Sequence, residues 1–99
     1  MVVFDAEYQL NHGSCWVILL IAAYIMINVA VGKVAHVVEK LKSIENIKWV
    51  SVVAGEFDII VRVHVESLEE LFYVTEKIHR IEGITRTTTH VVEKEIFSE

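Results

Sequence analysis

Proline is absent from the 99 residues, cysteine occurs once, and no stretch of the chain collects charge of one sign. A lone Cys15 can close no disulfide within the chain and has no second thiol for a zinc knuckle. Nine Lys and Arg residues are scattered along a chain whose formal net charge is -5. A phosphate-tracking groove needs clustered cations, so direct binding to nucleic acid is not expected. Absence of proline agrees with unbroken elements and decides nothing further. A long hydrophobic run is also missing: residues 15–27 read CWVILLIAAYIMI, short of the roughly 18 apolar residues of a spanning helix. Only Asp5 and Glu7 precede the run as charges, the wrong sign for a secretory signal. No membrane partner is expected, and a cytoplasmic location is.

What the chain has in excess is oil, for 54% of it is hydrophobic. One domain of this length cannot hide so much, which implies a further surface buried against another copy or a partner. The expected organisation is an irregular leader over 1–21 followed by a single domain over 22–97.

Past the leader the sequence repeats itself. Residues 22–31 alternate as a strand with Ala23, Ile25, Ile27, Val29 and Val31 on one face. Residues 57–65 do the same with Phe57, Ile59, Val61, Val63 and Val65, leaving Asp58, Arg62 and His64 opposite. An amphipathic helix follows each strand. Val34, Val37, Val38, Leu41 and Ile44 form the first apolar stripe; Leu68, Leu71, Phe72, Thr75, Ile78 and Ile81 form the second. Ser67 with Glu70 makes a capping box, and Gly83 stands where a helix stops. A shift of 34 residues superposes the first strand and helix on the second, whose helix runs about one turn longer. The exits Ile44-Glu45-Asn46-Ile47 and Ile81-Glu82-Gly83-Ile84 match, and lead into strands over 47–53 and 84–96.

Ala54-Gly55-Glu56 joins the second and third strands as a hairpin turn. Two β-α-β halves joined in this way give an α+β, ferredoxin-like βαββαβ fold: a four-stranded antiparallel sheet with both helices on one face and strands one and three central. The uncovered face would carry Tyr24, Met26, Ile60 and either Val50 with Val52 or Trp49, depending on register. Burying about 600 Å² of it per subunit is worth on the order of 15 kcal/mol before association costs, so a face-to-face dimer is the expected minimum unit.

Two stretches could carry chemistry. In Gly55-Glu56-Phe57-Asp58 a glycine turn exposes backbone N–H groups beside a carboxylate, a pairing suited to the two charges of a zwitterion. The same letters also suit a plain hairpin with acidic solubilising residues. Thr85-Arg86-Thr87-Thr88-Thr89-His90 places Thr87 and Thr89 on one face of the last strand, as hydroxyl donors to a ligand or as a polar edge that discourages aggregation. No histidine stands at metal-ligand spacing and no nucleophile-base-orienter set occurs, so neither a metal, a cofactor nor a catalytic residue is expected.

Taken together, VAVGK, VVAGEFDIIVRV, SLEEL and GITRTTTHVV resemble the effector-binding C-terminal domain, or RAM domain, of the Lrp/AsnC transcriptional regulators, over about residues 22–97. The resemblance implies β-sandwich dimers that assemble further, to an octamer or decamer, and bind amino-acid effectors between dimers. It implies a ligand site of Gly55, Glu56, Phe57 and Asp58 with Thr87 and Thr89: Asp58 on the α-amino group, the turn backbone and a threonine hydroxyl on the carboxylate. Full-length members carry a helix-turn-helix domain of some fifty residues, and the leader here is too short for one and lacks its pattern. The chain thus looks like a stand-alone version, working alone or mixed with full-length regulators. Two other readings compete. One is a small dimeric α+β barrel enzyme of isomerase, decarboxylase or monooxygenase type, with His64, Arg62 or Tyr24 lining an internal cavity. The other is an assembly subunit with no ligand.

Overall fold

A computed structural model describes residues 20–96. The expected leader lies almost wholly outside the described residues, as does Cys15. The elements run β1 (Ile21–Val29), α1 (Val34–Leu41), β2 (Ile47–Val52), β3 (Ile59–Val65), α2 (Leu68–His79) and β4 (Ile84–Val91). All strand pairs are antiparallel, in the order β2-β3-β1-β4. This is the ferredoxin-like α+β fold, with β1 and β3 central.

Alternation decides which side of each strand is dry. Ala23, Ile25 and Ile27 of β1 and Ile59, Val61, Val63 and Val65 of β3 are fully buried beneath Val37 and Leu41 of α1 and Leu71, Val74 and Ile78 of α2. Both helices therefore sit on one side of the sheet. The Ser67 cap forms, for the Glu70 amide of the first turn donates to Ser67 Oγ (3.1 Å); Glu70 Oε1 reaches back past the cap and accepts from the amide of Glu66, the residue before it (2.7 Å). At the other end of α2, Gly83 takes φ +107, and a Cβ there would stand 2.9 Å from Lys33 Cβ. Only glycine allows the exit of α2 to lie against the entry of α1, where the Ala30 amide donates to the Gly83 carbonyl (2.7 Å).

Several expectations need correction. β1 ends at Val29, and Val31 is fully exposed because the chain must turn into α1. The inward stripe of α2 is Leu71, Val74 and Ile78; Leu68 and Phe72 point outward, Phe72 with 68% exposure. The i, i+3, i+4 pattern admitted either phase, and contact with the sheet selected the one containing Val74. The link between β2 and β3 spans residues 53–58, longer than a three-residue turn, and β3 begins at Ile59 instead of Phe57. The last strand stops at Val91, not near Ile96. A register shift between Ile47 and Trp49 turns Trp49 and Ser51 to the uncovered face, opposite Arg62 and Ile60, and sends Val50 and Val52 to the helix side.

Candidate functional site

The loop 53–58 is held at both ends. The Val53 amide donates to the Asp58 carbonyl (2.9 Å), and Gly55 at φ +140 makes the bend that side chains disfavour. The loop is also fastened to the end of β1 in three places. The Asp58 amide donates to the Ile27 carbonyl (3.0 Å), Asp58 Oδ2 accepts from the Val29 amide (2.8 Å), and Asn28 Nδ2 donates to the Glu56 carbonyl (2.9 Å). Asp58 thus caps a strand end with one carboxylate oxygen. Gly55 and Glu56 are exposed, while Phe57 and Asp58 are half-buried.

Across β1, Thr87 pairs with Ile27 and Thr89 with Ile25, so both threonines lie on the helix side of edge strand β4. Thr87 Oγ1 is 2.5 Å from His79 Nε2 at the end of α2. Thr89 lines a cavity of about 220 Å³ with Leu68, Leu71, Phe72 and Thr75. Asp58 and Thr87 lie at the same end of the sheet, yet β1 stands between their strands, a separation of about 10 Å. One protomer therefore brings Gly55, Glu56, Phe57 and Asp58 together and leaves Thr87 and Thr89 apart from them. Asn28, Thr85 and His79 are additions that sequence reasoning missed. Thr85 Oγ1 donates to the Asn28 carbonyl (3.2 Å), so Asn28 joins the loop to the start of β4. The signal was an asparagine inside an otherwise apolar strand, a residue that strands disfavour.

On the uncovered face lies a second cluster. Arg62 is 6% exposed, the one buried charged residue among those described. Its Nη1 and Nη2 donate to the two oxygens of Glu95 at 2.8 and 2.9 Å, its Nε donates to His64 Nε2 at 3.0 Å, and Nη1 also donates to the Tyr24 hydroxyl. The guanidinium lies 5.1 Å from the centre of the Tyr24 ring, which packs against Trp49 at 6.0 Å. The hydrogen bonds with Glu95 raise the Arg62 pKa, and the same bonds with Arg62 hold the Glu95 carboxyl below its ordinary range. The space between sheet and helices is filled by the core, and the cavity beside His64, about 340 Å³, is lined by Asn46, Lys48 and the carboxylates Glu45, Glu66 and Glu70. Among the described residues no group of His, Cys, Asp or Glu could hold a metal ion, and no helix is long and apolar enough to cross a membrane.

The model of the Lrp/AsnC ligand-binding domain matches residues 22–99. The chain belongs to the Lrp/AsnC ligand-binding domain family. One relative, named "Uncharacterized HTH-type transcriptional regulator PF1231" of Pyrococcus furiosus, is 36% identical over 73 residues, which are 73% of this chain and 49% of that protein. The chain spans about half the length of the curated relatives it matches. Among solved structures, FFRP-DM1 superposes with a TM-score of 0.69 at 37% identity, over 73% of this chain and 97% of that one. The feast or famine regulatory protein of M. tuberculosis, solved in complex with L-methionine, shares the fold with a TM-score of 0.68 at 21% identity, over 80% of this chain and 54% of its own. The Lrp/AsnC assignment thus rests on a sequence match over nearly all the described residues and on the fold.

Proposed function

We propose that this Lrp/AsnC domain is an oligomeric, non-catalytic sensor that takes a free α-amino acid at a boundary between subunits. The observation that carries the reading is the fixed carboxylate of Asp58, anchored through Oδ2 on the Val29 amide beside an exposed glycine bend. A ligand's ammonium would meet Asp58, and its carboxylate would meet loop amides and a threonine hydroxyl. Because Thr87 and Thr89 stand across β1 from the loop, those hydroxyls would come from another subunit. Support for assembly comes from Trp49, 43% exposed on the uncovered face beside Tyr24, Met26 and Ile60, apolar ground that a second sheet would cover. The L-methionine complex of the M. tuberculosis relative supports an amino acid as the ligand class. Mixed assembly with helix-turn-helix-bearing regulators is one route by which such a sensor would act on DNA.

Thermal-shift screening against the twenty amino acids tests this reading. A ligand at about 100 times its dissociation constant adds roughly 2.7 kcal/mol to the folded state, and the expected result is a raised melting temperature with one or a few of them. Twenty flat responses would remove the amino acid from the proposal.

A further inference from the structure

We infer that the outer edge of β4, which pairs with no strand among the described residues, pairs with β4 of a second copy about a two-fold axis, joining two sheets into one and setting α2 beside its mate. This contact is separate from the stacking of sheet faces and does not depend on the amino-acid reading.

The two edges of the sheet differ in how they are guarded. Edge strand β2 carries Lys48 inside the register shift between Ile47 and Trp49, and a lysine and a bulge are the usual means of refusing another strand. In β4 the only shift lies at its start, opposite Asn28 and Val29, and from Thr87 to Val91 the strand pairs regularly with no bulge, proline, lysine or carboxylate. The Val92 amide donates to the Ala22 carbonyl, one step outside the Ala23–Val91 pair. By the alternation of antiparallel ladders, Thr88 and His90 then bond inward to β1, while the N–H and C=O groups of Thr87, Thr89 and Val91 face outward. A two-fold axis at Thr88 would put Thr87 opposite Thr89 of the second copy in hydrogen-bonded pairs and Thr88 opposite Thr88. The threonine run would thus meet itself, a favourable cross-strand pairing.

Side chains above the edge agree. An axis perpendicular to the sheet keeps both helix layers on one side, so each α2 would flank the junction. Leu68 and Phe72 are exposed on α2 where, with Leu71 and Thr75, they line the cavity shared with Thr89 of β4. These are the two members of the apolar stripe that the core of one chain leaves unused. In the joined sheet they would cover the new strand pair and face their own counterparts.

The test is a cysteine in a Cys15→Ser background. In a non-hydrogen-bonded antiparallel pair the Cα atoms lie about 4.5 Å apart, within disulfide reach. Thr88→Cys should therefore cross-link into a covalent dimer under mild oxidation, while His90→Cys, displaced from its own counterpart, should not. Two variants that spare the core are read by light scattering. Thr89→Pro removes only an outward amide, and Phe72→Glu charges the seam between helices; each should halve the mass of the wild-type assembly with an unchanged circular dichroism spectrum. Failure of Thr88→Cys to cross-link, equal cross-linking at both positions, or an unchanged mass in both variants overturns the inference. Cross-linking without any amino-acid response would leave this edge contact standing and sink the sensor reading alone.

Discussion

Two replacements of Asp58 separate what its carboxylate does for the chain from what it is proposed to do for a ligand. Asp58→Ala leaves the half-buried Val29 amide without the acceptor it now has at 2.8 Å. An unsatisfied buried donor costs about 1–3 kcal/mol. In a domain of this length 1 kcal/mol is worth roughly 4–8 °C, so the melting temperature should fall by on the order of 10 °C. Asp58→Asn keeps an oxygen for the amide and gives up only the charge, so its stability loss should stay under about 1 kcal/mol. Binding should order the variants differently. Both lose the counter-charge for an ammonium, and truncating one partner of a desolvated charge pair costs about 2–5 kcal/mol, roughly thirtyfold or more in affinity. Thermal unfolding gives the first quantity and calorimetric titration with the amino acid found by screening gives the second. An Asp58→Asn protein that binds as tightly as wild type would refute the ligand role, and an Asp58→Ala protein that melts unchanged would refute the strand-end role.

Gly83→Ala should destabilise the fold by about 1–3 kcal/mol, since it combines φ +107 with a Cβ 2.9 Å from Lys33 Cβ; a denaturant midpoint like that of wild type would contradict the packing of α2's exit on α1. Removing the cap with Ser67→Ala should cost about 0.5–2 kcal/mol, read from the same titration. Glu95 has its pKa lowered from 4.5 by the hydrogen bonds from Arg62, so its contribution is in place above pH 4.5 and drains away as pH falls through the lower, folded value. Unfolding measured against pH should therefore show an acid loss that is smaller in Glu95→Gln, and identical profiles would disconnect Glu95 from stability.

Much of the architecture was legible because the core strands announce themselves. Ile59, Val61, Val63 and Val65 alternate without exception and all are fully buried, and the internal repeat located both helices and the central position of β1 and β3. Helix phase was less legible: Leu68, Phe72 and Thr75 match a stripe as well as Leu71, Val74 and Ile78 do, and only the sheet beneath distinguishes them. The register shift beside Trp49 cannot be read from alternation at all, since one inserted residue exchanges the two faces of a strand. Of the candidate site, Gly55-Glu56-Phe57-Asp58 was visible as a glycine beside a carboxylate. That Asp58 would bond the Val29 amide was not, because the partner is a backbone group 29 residues away with no letter of its own. Glu95 escaped for the same reason of distance, lying 33 residues from Arg62.

Asn28 sits where two parts of the molecule are tied to one peptide. Its amide side chain holds the Glu56 carbonyl and its own carbonyl holds the Thr85 hydroxyl. Both ties run through a residue of central strand β1 whose backbone pairs with Arg86 of β4. A ligand held by the loop as proposed would thereby be tied, through Asn28, to the outer border of the sheet.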